Sequence, residues 1–181
     1  MMQQRHDGEA APAPSRRLRR RPGQVALTLV VALSLGAAAC SSGSSYDKAT
    51  AGSDINSVYK TVFDLANPSL DPKIAAIQDG SQIKASFNAA LTSSLAKSSA
   101  GAKMDSYEIL SSSGCTAASV PSPCAKVVYD IDGPTGTAIL PNSKGYAVYL
   151  NGKWLVAKAT ICGLLGLFYT AAGKQGSPKG C

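Results

Sequence analysis

After Cys40 the chain contains no histidine, no arginine and a single glutamate, Glu108. His6 and all six arginines precede that cysteine. Without a histidine, this part of the chain cannot form a catalytic triad that uses an imidazole base. We therefore predict no catalytic residue, no cofactor site and no enzymatic activity for the segment that follows Cys40.

The sequence also lacks a concentrated basic surface beyond Cys40. The whole chain of 181 residues has a formal net charge of +7. From Cys40 to Cys181, however, twelve lysines face eight aspartates and one glutamate, which leaves a formal charge of +3. These lysines are spread along the sequence, whereas nucleic-acid-binding domains cluster Arg and Lys on one element. We therefore expect no nucleic acid partner.

An apolar run precedes Cys40, but it is shorter than a membrane span. Val25 to Ala39 is uncharged, and this length falls below the roughly 20 residues that cross a bilayer. Arginines precede the run and small residues end it, as in a secretory signal peptide. We predict a cleaved signal over residues 1–39 rather than an anchor helix. The segment "SRRLRR" weakly resembles a twin-arginine signal, so either export route stays open.

Cys40 stands between this apolar run and a run of serines. The segment "LGAAAC" (residues 35–40) resembles a bacterial lipobox, whose cysteine sulfur receives a diacylglycerol, although Ala37 stands where leucine is usual. We predict lipidation of Cys40 with acyl chains such as palmitate, and a flexible tether over residues 40–52. The predicted location is the extracytoplasmic face of the cell membrane, reached through the lipid anchor. An ordinary cleaved signal with a free N-terminal cysteine is the alternative.

Four further cysteines follow: Cys115, Cys124, Cys162 and Cys181. An even number in an exported chain indicates disulfides, with three possible connectivities. The segment from Cys115 to Cys124 is a loop rich in Ser and Pro that a bridge closes easily, and the polar tail before Cys181 needs a covalent tie. We predict the pairs 115–124 and 162–181. Zinc is the alternative, but it usually requires a C-x₂-C pair and a reducing compartment.

Hydrophobic periodicity predicts helices first and strands afterwards. Apolar residues recur at helical spacing in three segments, and their spacing changes to every second residue after Gly101. The predicted helices cover residues 53–66, 71–79 and 81–97, the predicted strands 104–111, 124–132, 144–150 and 153–161, and a short apolar helix follows from Cys162. Asn151-Gly152 predicts a two-residue hairpin between the last two strands. The expected fold is α+β, with three N-terminal helices packed on one face of a curled, four-stranded antiparallel sheet, in a single domain over residues 53–181.

Two segments resemble a known family. "VFDLANPSLDPKIAAIQDG" (residues 62–80) and "GYAVYLNGKWLVAKATICGLL" (residues 145–165) are similar to segments of the low-molecular-weight secreted antigens of mycobacteria and their relatives. The resemblance covers roughly residues 53 to 170. It implies a cone-shaped fold, cystatin-like or similar to nuclear transport factor two. It carries no catalytic residue to transfer, because the family has no established chemistry. Its members are known as exported antigens.

A few polar residues have the pattern of a binding site. Asp130 and Asp132 resemble the start of a calcium loop, but Pro141 occupies the position of the glutamate that such a loop needs. We therefore expect a strand end and no metal site. Glu108 is a base only if it faces the interior of the cone, and we expect it to be solvated. A set of aromatic residues, expected to be core, is the remaining candidate pocket lining: Tyr107, Tyr129, Tyr146, Tyr149 and Trp154.

Two functions fit these observations. The first is a non-catalytic exported lipoprotein of the cell envelope, an antigen-like interaction module of unknown partner, for which an envelope protein is one candidate. The second is a carrier or sensor that binds a small apolar ligand between the helices and the sheet. A filled core of Phe63, Phe87, Val128, Val148 and Trp154 favours the first function. A cavity of roughly several hundred Å³ with a few polar groups favours the second.

Overall fold

The computed structural model describes residues 45–181. The predicted signal over residues 1–39, the predicted lipidation site Cys40 and the start of the predicted tether lie outside this part of the chain. The described elements are, in chain order, α1 (Ala51–Phe63), α2 (Leu70–Ala75), α3 (Gly80–Leu91), α4 (Ser94–Lys97), β1 (Gly101–Ile109), α5 (Ser112–Ala117), β2 (Cys124–Asp132), β3 (Ala138–Leu150), β4 (Lys153–Val156) and α6 (Lys158–Ala171).

The four strands form one antiparallel sheet in the order β1-β2-β3-β4. The register shifts between Met104 and Ser106 in β1, and on both sides of Ile131 in β2. Such bulges bend a strand and increase its twist, so the sheet curls. The predicted α+β class and the curled, four-stranded antiparallel sheet are confirmed.

The hairpin between β3 and β4 has the predicted turn. Asn151 and Gly152 have φ angles of 52° and 80°, as a type I′ turn requires. This turn places Tyr149 opposite Trp154. The outer edge of β4 is covered by the segment between α2 and α3, because the Gln78 N–H donates to the Val156 carbonyl and the Val156 N–H donates to the Ala76 carbonyl, both at 2.9 Å.

The main core lies between the helices and the inner face of the sheet. Each element contributes apolar residues at the period of its own secondary structure, and all of them belong to one cluster. The members include Ile55, Tyr59 and Val62 from α1, Ile83 and Phe87 from α3, Val127 and Tyr129 from β2, Trp154 and Val156 from β4, and Ile161 and Leu165 from α6.

A smaller cluster lies on the outer face of the sheet. It contains both cysteines of the first pair together with Val120, Val148, Leu155 and Ala157. The prediction that Val128 and Val148 belong to the main core was therefore wrong: Val148 faces this outer cluster and Val128 is half-buried. Successive residues of a strand point to opposite faces, and Val127 and Ala147 are the inward neighbours.

The boundaries of several elements differ from those predicted. The last strand ends at Val156 and α6 begins at Lys158, so Ala159 and Ile161 are helical rather than extended. The third predicted helix is divided into α3 and α4, because the Ser93 Oγ accepts a hydrogen bond from the Ala96 N–H at 3.2 Å and caps a new helix. The chain is also folded before residue 53, since α1 starts at Ala51.

The loop predicted to contain the first cysteine pair is partly helical. Helix α5 spans Ser112–Ala117, and the Ser111 Oγ accepts a hydrogen bond from the Gly114 N–H at 3.2 Å. Serine is a favoured residue at a helix N-cap because its hydroxyl satisfies one of the free N–H groups of the first turn. Cys115 therefore reaches Cys124 from a short helix rather than from an irregular loop.

Candidate functional site

The four cysteines form the two predicted disulfides, Cys115–Cys124 and Cys162–Cys181. The first bridge is buried in the outer cluster, where both cysteines have no exposed surface. The second bridge joins α6 to the C-terminal tail. Because every one of these sulfurs is in a disulfide, none is available as a thiolate ligand for zinc.

The C-terminal tail lies along α3. The Ser86 hydroxyl donates a hydrogen bond to the Lys179 carbonyl at 2.8 Å. Gly180 has a φ angle of 89° and packs against the Gln82 carbonyl so closely that a β-carbon has no room there. The disulfide and this close approach hold the tail at a fixed position on the helix.

A hydrogen-bonded group joins α1, β3 and α6 inside the protein. The Tyr59 hydroxyl donates to the Tyr146 carbonyl at 3.2 Å, and the Thr160 hydroxyl accepts from the Tyr146 N–H at 2.7 Å. A β-carbon on Gly145 would lie 2.5 Å from the Thr160 Cγ2 and 2.8 Å from the Tyr59 hydroxyl. Burial raises the pKa of Tyr59 and of Tyr129 well above the usual value for tyrosine. These groups are neutral hydrogen-bonding partners that hold the helices to the sheet.

One small cavity lies between α3, α6 and the inner face of the sheet. Its walls are apolar except for Ser99, and they include Phe63 and Phe87. The volume open to the centre of a water molecule is about 40 Å³, whereas ligand pockets are roughly 300–1,000 Å³. Phe63, Phe87 and Trp154 are at most 6% exposed. The interior between helices and sheet is therefore filled by side chains.

The predicted aromatic set does not line one common pocket: Tyr149 and Trp154 line an open concavity beside α1, and Tyr129 and Tyr146 line another beside α6. Tyr149 and Trp154 pack edge to face at 5.4 Å, and Tyr129 stacks with Phe63 at 5.5 Å in the main core. Tyr146 packs against the outer cluster. Tyr107 is 40% exposed and lies over Gly52 of α1. The set is therefore divided among the main core, the outer cluster and the exposed surface, and most of its members contribute to packing.

A second aromatic group covers the β3–β4 hairpin. The Tyr46 ring lies 5.9 Å from Tyr149 and 5.3 Å from Trp154, in both cases edge to face. With the rings at these distances, no space is left between them for a ligand. The Trp154 Nε1 is buried without a hydrogen-bond partner. The indole therefore acts as an apolar group in this structure.

The carboxylates singled out from the sequence occupy strand positions. The Asp130 Oδ1 accepts a hydrogen bond from the Asn142 N–H at 2.7 Å. Asp132 ends β2, where the Gly133 N–H donates to the Thr137 carbonyl at 2.8 Å and closes a hairpin. Glu108 is exposed on the outer face, opposite Lys126. The predictions of a strand end at Asp132 and of a solvated Glu108 are confirmed.

Lys73 is a candidate binding residue that the sequence analysis missed. Its side chain is 1% exposed, and it lines a surface concavity between α1 and α2. Burial lowers the pKa of Lys73, while the charge of Asp64 acts in the opposite direction. The sequence does contain one signal for its burial. Lys73 has the spacing of a helix face whose other members, Leu70, Ile74 and Ile77, are apolar.

Within residues 45–181, every helix is too short or too polar to span a membrane. The same residues contain no group of three or more His, Cys, Asp or Glu side chains placed to hold a metal ion. No curated protein and no solved structure matches the chain. Residues 47–171 match the family model described as the C-terminal domain of the low molecular weight antigen MTB12. The chain belongs to this antigen family.

Proposed function

We propose that the protein is a non-catalytic, lipid-anchored antigen of the cell envelope that acts through its outer surface. The filled interior is the observation that carries this proposal. The cavity of about 40 Å³ is far smaller than the roughly 300–1,000 Å³ of a ligand pocket. A protein that holds no ligand inside can still bind a macromolecule on its surface. The match to an antigen family supports the same function.

The proposed anchor is a diacylglycerol on Cys40. The sequence motif supports it, because a small-residue segment precedes the cysteine and a Ser-rich segment follows it. Two acyl chains would hold the protein at the membrane, whereas one chain gives only marginal and reversible binding. The cone-shaped, cystatin-like or nuclear-transport-factor-two-like arrangement of the helices and the extracytoplasmic location are part of the same proposal.

Mass spectrometry and detergent partitioning test the anchor. We expect the exported protein to begin at Cys40, to carry the mass of a lipid adduct and to partition into detergent. Cys40→Ala should move it to the aqueous phase or leave the signal uncut. Ser42→Ala is the matched control and should change nothing. An unmodified N-terminus at any residue other than 40 would contradict the anchor.

The Cys40→Ala protein also separates the surface function from that of a carrier, because it has no covalent lipid. It is purified from its native host and extracted with organic solvent. We expect no small apolar molecule at a stoichiometric level, because the interior is already filled. A stoichiometric lipid in this extract would show that the interior opens to a ligand, and the carrier function would then replace the proposal.

A further inference from the structure

Lys73 is the only charged side chain that is buried among residues 45–181. It belongs to α2, and it lies beside the C-terminal end of α1 in a concavity that Lys60, Asp64 and Asn67 also line. The charge of a lysine interacts favourably with the C-terminal end of a helix. The last carbonyls of a helix can also accept from a lysine, but none of the hydrogen bonds found among residues 45–181 joins them to the Lys73 ammonium, which has three N–H donors.

The Lys73 ammonium makes no hydrogen bond and no ion pair to another residue in the described part of the chain, and its nitrogen is open to the concavity. The ion pairs found there join other residues, and none of the side-chain hydrogen bonds involves Lys73. Asp64 is the carboxylate whose charge acts on Lys73, but its Oδ1 accepts a hydrogen bond from the Asn67 N–H at 3.3 Å. The stem of the Lys73 side chain is buried while its ammonium faces the concavity, so its N–H donors are open to an acceptor from outside the chain, either water or a ligand.

We propose that this concavity binds a small oxyanion, either a carboxylate or a phosphate group. Lys73 is its principal ligand and the exposed Lys60 is a second cation. The Asn67 Oδ1 already accepts from the Ser69 N–H at 2.9 Å, which leaves the amide NH₂ as a further donor. With Asp64 included, the lining has one positive charge in excess, and an oxyanion supplies the oxygen acceptors that the donors lack.

Amide chemical shifts of the isotope-labelled full chain test this site. Inorganic phosphate and acetate are titrated separately, with chloride used to keep the ionic strength constant. We expect saturable shifts confined to the amides of residues 60–67 and 70–75. The anion that saturates at the lower concentration identifies the preferred chemistry. Shifts that grow linearly and equally with all three anions would mean general screening and would overturn the proposal.

Four variants make the test specific. Lys73→Met keeps the length of the side chain and removes its charge, and it should weaken binding at least about tenfold. Lys60→Met should weaken binding several-fold. Asp64→Asn should tighten it, because a repelling charge is removed. Lys144→Met is the matched control, since that exposed lysine belongs to β3 and does not line the concavity, and it should leave binding unchanged.

The variants also cover the alternative in which Lys73 and Asp64 form a simple ion pair. In that case Asp64→Asn would give no gain in anion affinity, and wild type and Lys73→Met would respond alike. Either result would refute the site. Circular dichroism checks that Lys73→Met is folded. If it is not, Lys60→Met and Asp64→Asn decide the question, because both residues lie nearer the surface.

Discussion

Trp154 is the residue whose removal should cost the domain most. It is 2% exposed and packs edge to face against Tyr46 and Tyr149 at 5.3 and 5.4 Å. Trp154→Ala removes the whole indole from a filled region and leaves a cavity, for which the expected loss is about 3–5 kcal/mol of unfolding free energy. A domain of this size has about 5–15 kcal/mol in total, so the variant should be close to unfolding.

Trp154→Phe is the informative comparison. The Trp154 Nε1 has no hydrogen-bond partner, so phenylalanine loses apolar contacts but no hydrogen bond. Removal of a buried, unsatisfied donor recovers part of the loss, because such a group costs about 1–3 kcal/mol. We therefore expect Trp154→Phe to cost less than half as much as Trp154→Ala.

Urea denaturation followed by far-ultraviolet circular dichroism measures both variants on the same scale. Trp154 is the only tryptophan, so its fluorescence reports the unfolding of this region in the wild type alone. Equal losses for the two variants would show that the indole N–H makes a hydrogen bond and that the packing account is incomplete. A fully stable Trp154→Ala protein would refute the account in which Trp154 stabilises the core by packing.

Three further predictions concern the interior and the hairpin. Tyr59→Phe removes the 3.2 Å hydrogen bond to the Tyr146 carbonyl and should cost about 0.5–1.5 kcal/mol in urea denaturation. Burial raises the pKa of Tyr59 and of Tyr129 in the folded protein. Their contribution to stability is therefore complete below about pH 10, the usual pKa of tyrosine, and is lost as the pH rises further. In an alkaline titration, the tyrosinate absorbance of these two residues should appear only together with unfolding. Gly152→Val places a β-branched residue at a φ angle of 80° and should lower the thermal midpoint. Gly163→Ala, on an exposed helix face with open space around it, is the control and should keep or raise the midpoint, because alanine is the better helix former.

Local sequence signals predicted the parts of the fold that depend on neighbouring residues. Asn151-Gly152 predicted the hairpin because few residue pairs adopt positive φ at two successive positions. The two disulfides followed from the position of each cysteine relative to a short loop or an unanchored tail. Both signals act over a few residues, so they did not require knowledge of the tertiary structure.

Two of the errors arise because the apolar residues of a short segment do not by themselves fix its period or its inward face. Residues 154–161 satisfy both the strand and the helix pattern, and the start of α6 at Lys158 is decided by packing of Ile161 against the main core. Val127 and Val128 are adjacent and equally apolar, so the sequence does not reveal which one faces inward. Only the register of β2 against its neighbours settles that choice.

The candidate binding residue was harder to find. Lys73 lies on the same predicted helix face as Leu70 and Ile77, which suggests burial. A lysine, however, is normally at the surface with only its stem buried. Its burial depends on the path of the chain between α1 and α2, which brings Asp64 and Asn67 to the same concavity. Such a long-range effect has no local signature beyond the unexpected charge on an apolar helix face.

The covered edge of β4 has a consequence for self-association. An unpaired strand edge is a template for adding a strand from another molecule, and this becomes a hazard when many copies are crowded on one surface. Here the backbone between α2 and α3 occupies the groups of Val156 that a neighbouring molecule would use. The opposite edge, β1, is interrupted by a bulge and carries Lys103 and Asp105, which lie 3.7 Å apart. Crowded copies of this protein are therefore expected to resist edge-to-edge aggregation.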